Sequence, residues 1–304
     1  TTTAVNTAAF LAEIGKRVLL VDLDPQANAT SGVGLYSENI SANLYHFLIG
    51  HAQANEVILN SGIENFDILP GGKDMAGAAV ELINEEGREF KLKNVLAPIL
   101  DYYDFVIIDC PPSLGILTIN GLVAADKVII PVQCEYYALE GLSQLLETIG
   151  LIKENITPNL DIMGAVLTMN DKRNKLSAAV IKEVRRNFPG NVFESIIPRS
   201  VSLAEAPSYG KPISHYNSWS KGARAYKASL SAKKEIQRGC FKRSGAINKR
   251  AWYFTADSGG GDERGRGEKI PDNSGREKIQ SFKARRPKNH PGYHKKRKNG
   301  QRAS

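Results

Sequence analysis

The sequence predicts an α/β fold, a doubly wound and mostly parallel sheet. Short β-branched apolar runs at 18–21, 105–108 and 128–132 have little polar interruption, as strands buried on both faces do. Amphipathic stretches separate them, the alternation that builds βαβ units. Two of the runs end in an acid, Asp22 and Asp109, and a parallel sheet gathers its strand ends at one edge, where ligands bind.

In chain order, Thr1-Thr2-Thr3 opens an Ala-rich helix over 4–14, alanine being the best helix former. The strand at 18–21 follows and runs into Asp22-Leu23-Asp24-Pro25. Helices are expected at 75–83 and 91–100, both amphipathic stretches. The strand at 105–108 precedes an amphipathic helix at 116–124, and the strand at 128–132 precedes one at 140–153. Strands at 160–169 and 191–197 flank a helix at 178–187, and a helix at 220–236 closes the apolar part of the chain.

The composition breaks near residue 237. The chain has 304 residues and a net charge of +8. Residues 238–304 have 19 Lys/Arg against 6 Asp/Glu, ten Gly, and no Leu, Val or Met. Such a stretch buries too little surface to offset the entropy of ordering it. The expectation is a domain at 1–237 and a disordered basic tail at 238–304, abrupt enough to suggest a shifted or read-through frame. A run such as His294-Lys295-Lys296-Arg297-Lys298 would hold phosphate backbones by counterion release. Cys110, Cys134 and Cys240 have no metal or disulfide spacing and suit a reducing compartment. His290 and His294 lack an upstream Cys pair for zinc. No apolar run reaches the length that spans a bilayer.

The strand-and-loop stretch Val18-Leu19-Leu20-Val21-Asp22-Leu23-Asp24-Pro25-Gln26-Ala27-Asn28-Ala29-Thr30 is close to a signature. With Thr1-Thr2-Thr3-Ala4-Val5-Asn6, Asp109-Cys110-Pro111-Pro112-Ser113, Val128-Ile129-Ile130-Pro131-Val132-Gln133 and the segment from Ile197 to Lys211, it resembles the ParA/Soj partitioning ATPases, the deviant Walker A branch of the P-loop NTPases. The resemblance covers about residues 1–236. In that family a segment like KGGVGK directly precedes the threonines. The chain is therefore expected to start after the loop and to lack both family lysines, leaving it a poor ATPase or none as written.

The resemblance implies ATP and Mg²⁺ as cofactors. Thr1 supplies a hydroxyl to the metal, Thr2 touches phosphate, and Asp109 holds the metal through water. Asp24 orients the attacking water, and Pro111-Pro112-Ser113 forms a second switch. Asp22 reads either as an acid capping the loop after its strand or as a further carboxylate of the magnesium–nucleotide site. Asn170 and Pro198, with Arg199 beside them, are assigned to the adenine end.

Asp171-Lys172-Arg173-Asn174-Lys175 precedes a helix with Lys182, Arg185 and Arg186, a candidate stripe for duplex phosphates. A solvated helix face reads equally well from sequence alone. The resemblance places a DNA-contacting Arg at Arg173 and a second where this chain has Ser202, a departure that leaves Arg199, Lys211 or Lys221 to substitute. The functional expectation is a partitioning ATPase of plasmid or chromosome that sandwiches ATP between two subunits, binds DNA nonspecifically, and is released by a ParB-like centromere-binding partner. It would be cytoplasmic and nucleoid-associated, with no membrane partner. One alternative is a MinD-like division-site ATPase. It would need a membrane-binding helix, and residues 222–236 offer only Ala225, Tyr226, Leu230 and Ile236. The other is a non-hydrolysing DNA-binding scaffold.

Overall fold

The computed structural model describes residues 1–231 and 250–255. Helix α1 (Thr2–Glu13) is buried from Thr3 to Ala12, possible because its small side chains let the sheet approach closely. It stops where Gly15 takes φ +80, the left-handed backbone that closes many helices. Strand β1 (Val18–Asp22) is buried throughout. Short helices α2 (Asn28–Ser31), α3 (Leu44–Leu48) and α4 (Ala54–Val57) lead to β2 (Leu59–Ile63) and β3 (Phe66–Leu69). Next come α5 (Met75–Glu81), α6 (Lys91–Leu96), β4 (Phe105–Cys110), α7 (Ile116–Ala124), β5 (Lys127–Gln133), α8 (Ala138–Asn155), β6 (Asp161–Thr168) and α9 (Lys175–Asn187). Helices α10 (Val201–Glu205), α11 (Ile213–Tyr216) and α12 (Lys221–Ser231) precede β7 (Arg250–Thr255).

The sheet has the order β2-β3-β1-β4-β7-β5-β6. Neighbours are parallel except β2 and β3, so the fold class read from the sequence is the one observed. Successive strand side chains face opposite ways. Val18, Leu20, Ile107, Ile129 and Val166 join Ala4, Ala8, Leu11 and Tyr226 in one core. The intervening Leu19, Val21, Val106 and Ile108 are equally buried and face the other layer. Cross-links fix α1 to the chain's later helices: Thr3 Oγ1 lies 3.1 Å from Tyr226 Oη, and Ile213 N donates to Asn6 Oδ1 at 2.7 Å.

Three features differ from the sequence reading. No strand forms over 191–197. Phe193 N donates to Ala165 O and Ile197 N to Leu167 O, but between them Ser195 turns away and donates to Ala225 O at 2.7 Å, leaving isolated bridges at Val192 and Pro198. The β2–β3 hairpin was not anticipated, its strands being short and half polar. Finally, 250–255, within the stretch expected to be tail, forms β7 between β4 and β5. The rest of 238–304 lies outside the described residues, as does the end of the expected 220–236 helix.

Gly210 shows why a motif residue is glycine. Its φ is +60, and a Cβ there would sit 2.5 Å from Gly34 Cα. Gly210→Ala is expected to destabilise the fold by about 2–4 kcal/mol, combining left-handed backbone cost with overlap. Chemical denaturation of the variant measures it, and a loss below about 0.5 kcal/mol would show that the two loops separate freely.

Candidate active site

The register of β1 on β4 sets Asp22 opposite Asp109, so both carboxylates emerge on the same side at the ligand edge. Both are fully buried. Asp22 is held by its own loop: Oδ1 accepts from Asp24 N at 3.2 Å, and Oδ2 accepts from Thr30 N at 2.8 Å and Thr30 Oγ1 at 2.7 Å. Thr30 Oγ1 in turn accepts from Gly71 N at 3.0 Å. Asp22 therefore clamps three loops together, in agreement with the capping reading. Burial, and next the charge of Asp109, push its carboxyl up to about 7.

Asp109 has no such partners. Neither of its buried carboxylate oxygens accepts a hydrogen bond, and the Thr1 amino nitrogen lies 3.0 Å from Oδ1. A buried carboxylate that accepts no hydrogen bond, with Thr1 at a helix start beside it, suits a hard cation with oxygen ligands. Among the described residues no group of three or more His, Cys, Asp or Glu is placed to hold a metal. The chemistry that fits is magnesium, which takes one or two carboxylates and completes its shell from water and phosphate oxygens.

Asp24 sits on the loop past β1, nearly buried. Its Oδ1 accepts from Gln26 N at 2.9 Å, and its carbonyl accepts from Ala27 N at 2.9 Å. This tight turn puts Ala27 at φ 52, a left-handed conformation uncommon for alanine. Burial raises the Asp24 carboxyl above its ordinary range against the Gln26 bond that lowers it, and the charge of Asp109 adds to the rise. A partly desolvated carboxylate with a free acceptor is a competent partner for a water molecule.

A cavity of about 600 Å³ runs from Thr1, Thr2 and Thr3 to Met169, Pro198, Arg199 and Ala204. Its size is that of a small-molecule site. Thus Thr1, Thr2, Pro198 and Arg199 share one cavity. Asn170 stands at its rim, paired with Pro198 in an isolated bridge, and Asn170 N donates to Ile197 O at 3.1 Å. Met169 reaches that position at φ 53. Arg199 also pairs with Glu135 at 2.5 Å. The sequence reading gave no role to Thr30, Gly71 or Met169; the fixed spacing of Thr30 from Asp22 was the one available signal.

A family model described as an AAA domain matches residues 1–162. The chain is 51% identical over 226 residues to the sporulation initiation inhibitor protein Soj of Bacillus subtilis (strain 168), covering 74% of this chain and 89% of that protein. It is 50% identical over 228 residues to the chromosome partitioning protein ParA of Myxococcus xanthus (strain DK1622), covering 75% and 81%. The chain belongs to the Soj/ParA family of chromosome-partitioning ATPases. A solved structure of cobyrinic acid a,c-diamide synthase from Mycobacterium smegmatis with bound ADP and magnesium is also similar to this Soj/ParA chain, at TM-score 0.68 and 35% identity over 78% of it and 90% of the other. The Pyrococcus furiosus cell division ATPase MinD, 23% identical at TM-score 0.62, shares the fold.

Elsewhere on the Soj/ParA chain, the cationic residues of 172–186 lie outside the cavity. Lys172, Arg173 and Lys182 are exposed. Asn174 caps α9 by accepting from Leu176 N at 2.9 Å. Arg173, 91% exposed, is braced by Asp171, which accepts from its Nε at 3.1 Å and its terminal nitrogen at 2.9 Å. That brace holds the Asp171 carboxyl down at about 2. Tyr226 of α12 is buried in the core, and no helix among the described residues is long and apolar enough to cross a membrane.

Proposed function

We propose that this chain is a nucleotide-switched partitioning ATPase that coats DNA when ATP-bound and leaves it after hydrolysis. The cavity carries the reading: it joins the α1 threonines at one end to Pro198 and Arg199 at the other, and Thr1 at that first end lies against the buried Asp109. One end suits a phosphate-bound cation and the other a planar base. Magnesium, when bound, neutralises charge on the transferred phosphoryl group. Thr1 and Asp109 would hold it, Thr2 would touch phosphate, and Asn170, Pro198 and Arg199 would seat the adenine. Asp24 orients the water that attacks, and its turn to Gln26 and Ala27 fixes the carboxylate's position.

Two subunits pair around the nucleotide and present Lys172, Arg173 and Lys182 to duplex phosphates. A ParB-like centromere-binding protein then stimulates hydrolysis and releases the dimer, an order set by nucleotide state. Such a protein works in the cytoplasm on the nucleoid.

The test is retention of the chain on random-sequence duplex DNA, with a KGGVGK-containing strand and loop placed ahead of Thr1. Retention is expected only with ATP and magnesium, and to fall steeply with salt. Arg173→Ala is expected to weaken it and to lower the salt slope by about one, with ATP affinity unchanged. Retention independent of nucleotide would overturn the switch. A variant that binds like the parent at every salt concentration would make 171–186 a solvated face.

A further inference from the structure

Asp24 lies on a loop just past the end of β1, and its carbonyl accepts from Ala27 N at 2.9 Å with Ala27 held at φ 52. Left-handed alanine persists only where the surrounding structure over-determines it. Here that structure is α2, whose Ser31 N donates to Ala27 O at 3.0 Å and whose Thr30 is fully buried. We infer that Thr30 is a positioning residue for Asp24: its hydroxyl, through Asp22 and Gly71, sets where the water-orienting carboxylate stands. The role of Thr30 rests on the one proposed for Asp24 in hydrolysis.

The hydroxyl is used in both senses. Thr30 Oγ1 donates to Asp22 Oδ2 at 2.7 Å and accepts from Gly71 N at 3.0 Å, while Thr30 N donates to the same Asp22 oxygen at 2.8 Å. The other Asp22 oxygen accepts from Asp24 N at 3.2 Å. A single carboxyl group thus ties both ends of the segment from Asp24 to Thr30, and the Asp24 turn lies within that closed span.

Gly71 completes the arrangement from outside. A Cβ on it would lie 2.7 Å from Asp22 O and 3.1 Å from Asp24 O, so the loop after β3 rests on the backbone that carries Asp24. Its amide is seated there by Thr30 Oγ1. Serine and threonine donate and accept with one small group. Valine has nearly the shape of threonine with neither capacity, and would leave a buried amide and a buried carboxyl oxygen without that partner. The turn would then relax, and a displacement of about 1 Å at a reacting group costs on the order of 10²-fold in rate.

The test uses the full chain completed with the KGGVGK-containing strand and loop, and compares Thr30→Val, Thr30→Ser, Asp24→Ala and the Thr30→Val, Asp24→Ala double variant. Thr30→Val is expected to lower ATP turnover by about 10–100-fold with ATP affinity unchanged. Thr30→Ser is expected to keep most of the parent's turnover. With Asp24 already replaced, Thr30→Val is expected to cost nothing further, as for two groups that act as one unit. A threonine that served the fold alone would lower affinity and turnover together, with or without Asp24, and that result overturns the inference. Parent-rate turnover by Thr30→Val overturns it equally. Parent-rate turnover by Asp24→Ala would instead overturn the reading of Asp24 beneath it. If Thr30→Val does not fold, Thr30→Cys, whose thiol donates and accepts only weakly, is read in the same way.

Discussion

Asp24→Ala, made in a chain with a KGGVGK-containing loop ahead of Thr1, is expected to lower ATP turnover about 10²-fold while ATP remains bound. That is the scale of losing one positioned acid–base group. Binding survives because the phosphates and the cation are held elsewhere, at the loop, Thr1 and Asp109. The variant is expected to accumulate on DNA and to resist release by the partner protein. Asp24→Asn discriminates position from charge: it keeps an acceptor oxygen for the Gln26 amide bond but loses the negative charge that polarises water. Turnover by Asp24→Ala at the parent rate would remove Asp24 from the reaction.

Asp109→Ala is expected to fail at an earlier step. Removing a carboxylate that holds a cation costs on the order of 10–100-fold in affinity for it, so nucleotide binding should lose its magnesium dependence before turnover is even measured. Structure need not suffer. Asp109 accepts no hydrogen bond; its removal gives up the ion pair with the Thr1 amino group and takes a like charge away from Asp22. The variant's thermal midpoint without nucleotide is expected to stay within a few degrees of that of the parent. A drop of many degrees would show that Asp109 is structural. Isothermal titration with ADP, with and without magnesium, separates the two.

The sheet was legible because its central strands are buried on both faces: 18–21, 105–108 and 128–132 carry their pattern in composition alone. The acids at the strand ends were legible for the same reason, since a parallel sheet fixes where its carboxyl ends gather. Other features depend on contacts far away in sequence. The chain from Asn191 to Ile197 has strand-like residues, but Ser195 donates to Ala225 O and pulls it off the ladder. Nothing local announces that. Asp22 and Asp109 look alike as letters at strand ends, yet Thr30 and the Asp24 amide hydrogen-bond to the first, while the second accepts no hydrogen bond and faces the Thr1 amino group. Strand β7 was missed because an absence of aliphatic residues was equated with an absence of structure, whereas a backbone slot selects first for hydrogen bonds. The Met169 conformation, φ 53, has no sequence signal, since left-handed backbone is ordinarily announced by Gly or Asn.

The meeting of Gly34 with Gly210 behaves as a mechanical stop. Gly34 ends the segment that leaves the Asp24 turn through α2, and Gly210 ends the turn after α10, whose helix lines the cavity rim. Bare backbone touches bare backbone there, with no room for a single added carbon. Such a contact resists compression and offers nothing against separation. Motion of the Asp24 loop toward α10 meets this contact at once, so the pair sets a fixed lower limit to the spacing between the water-orienting loop and the helix beside the cavity.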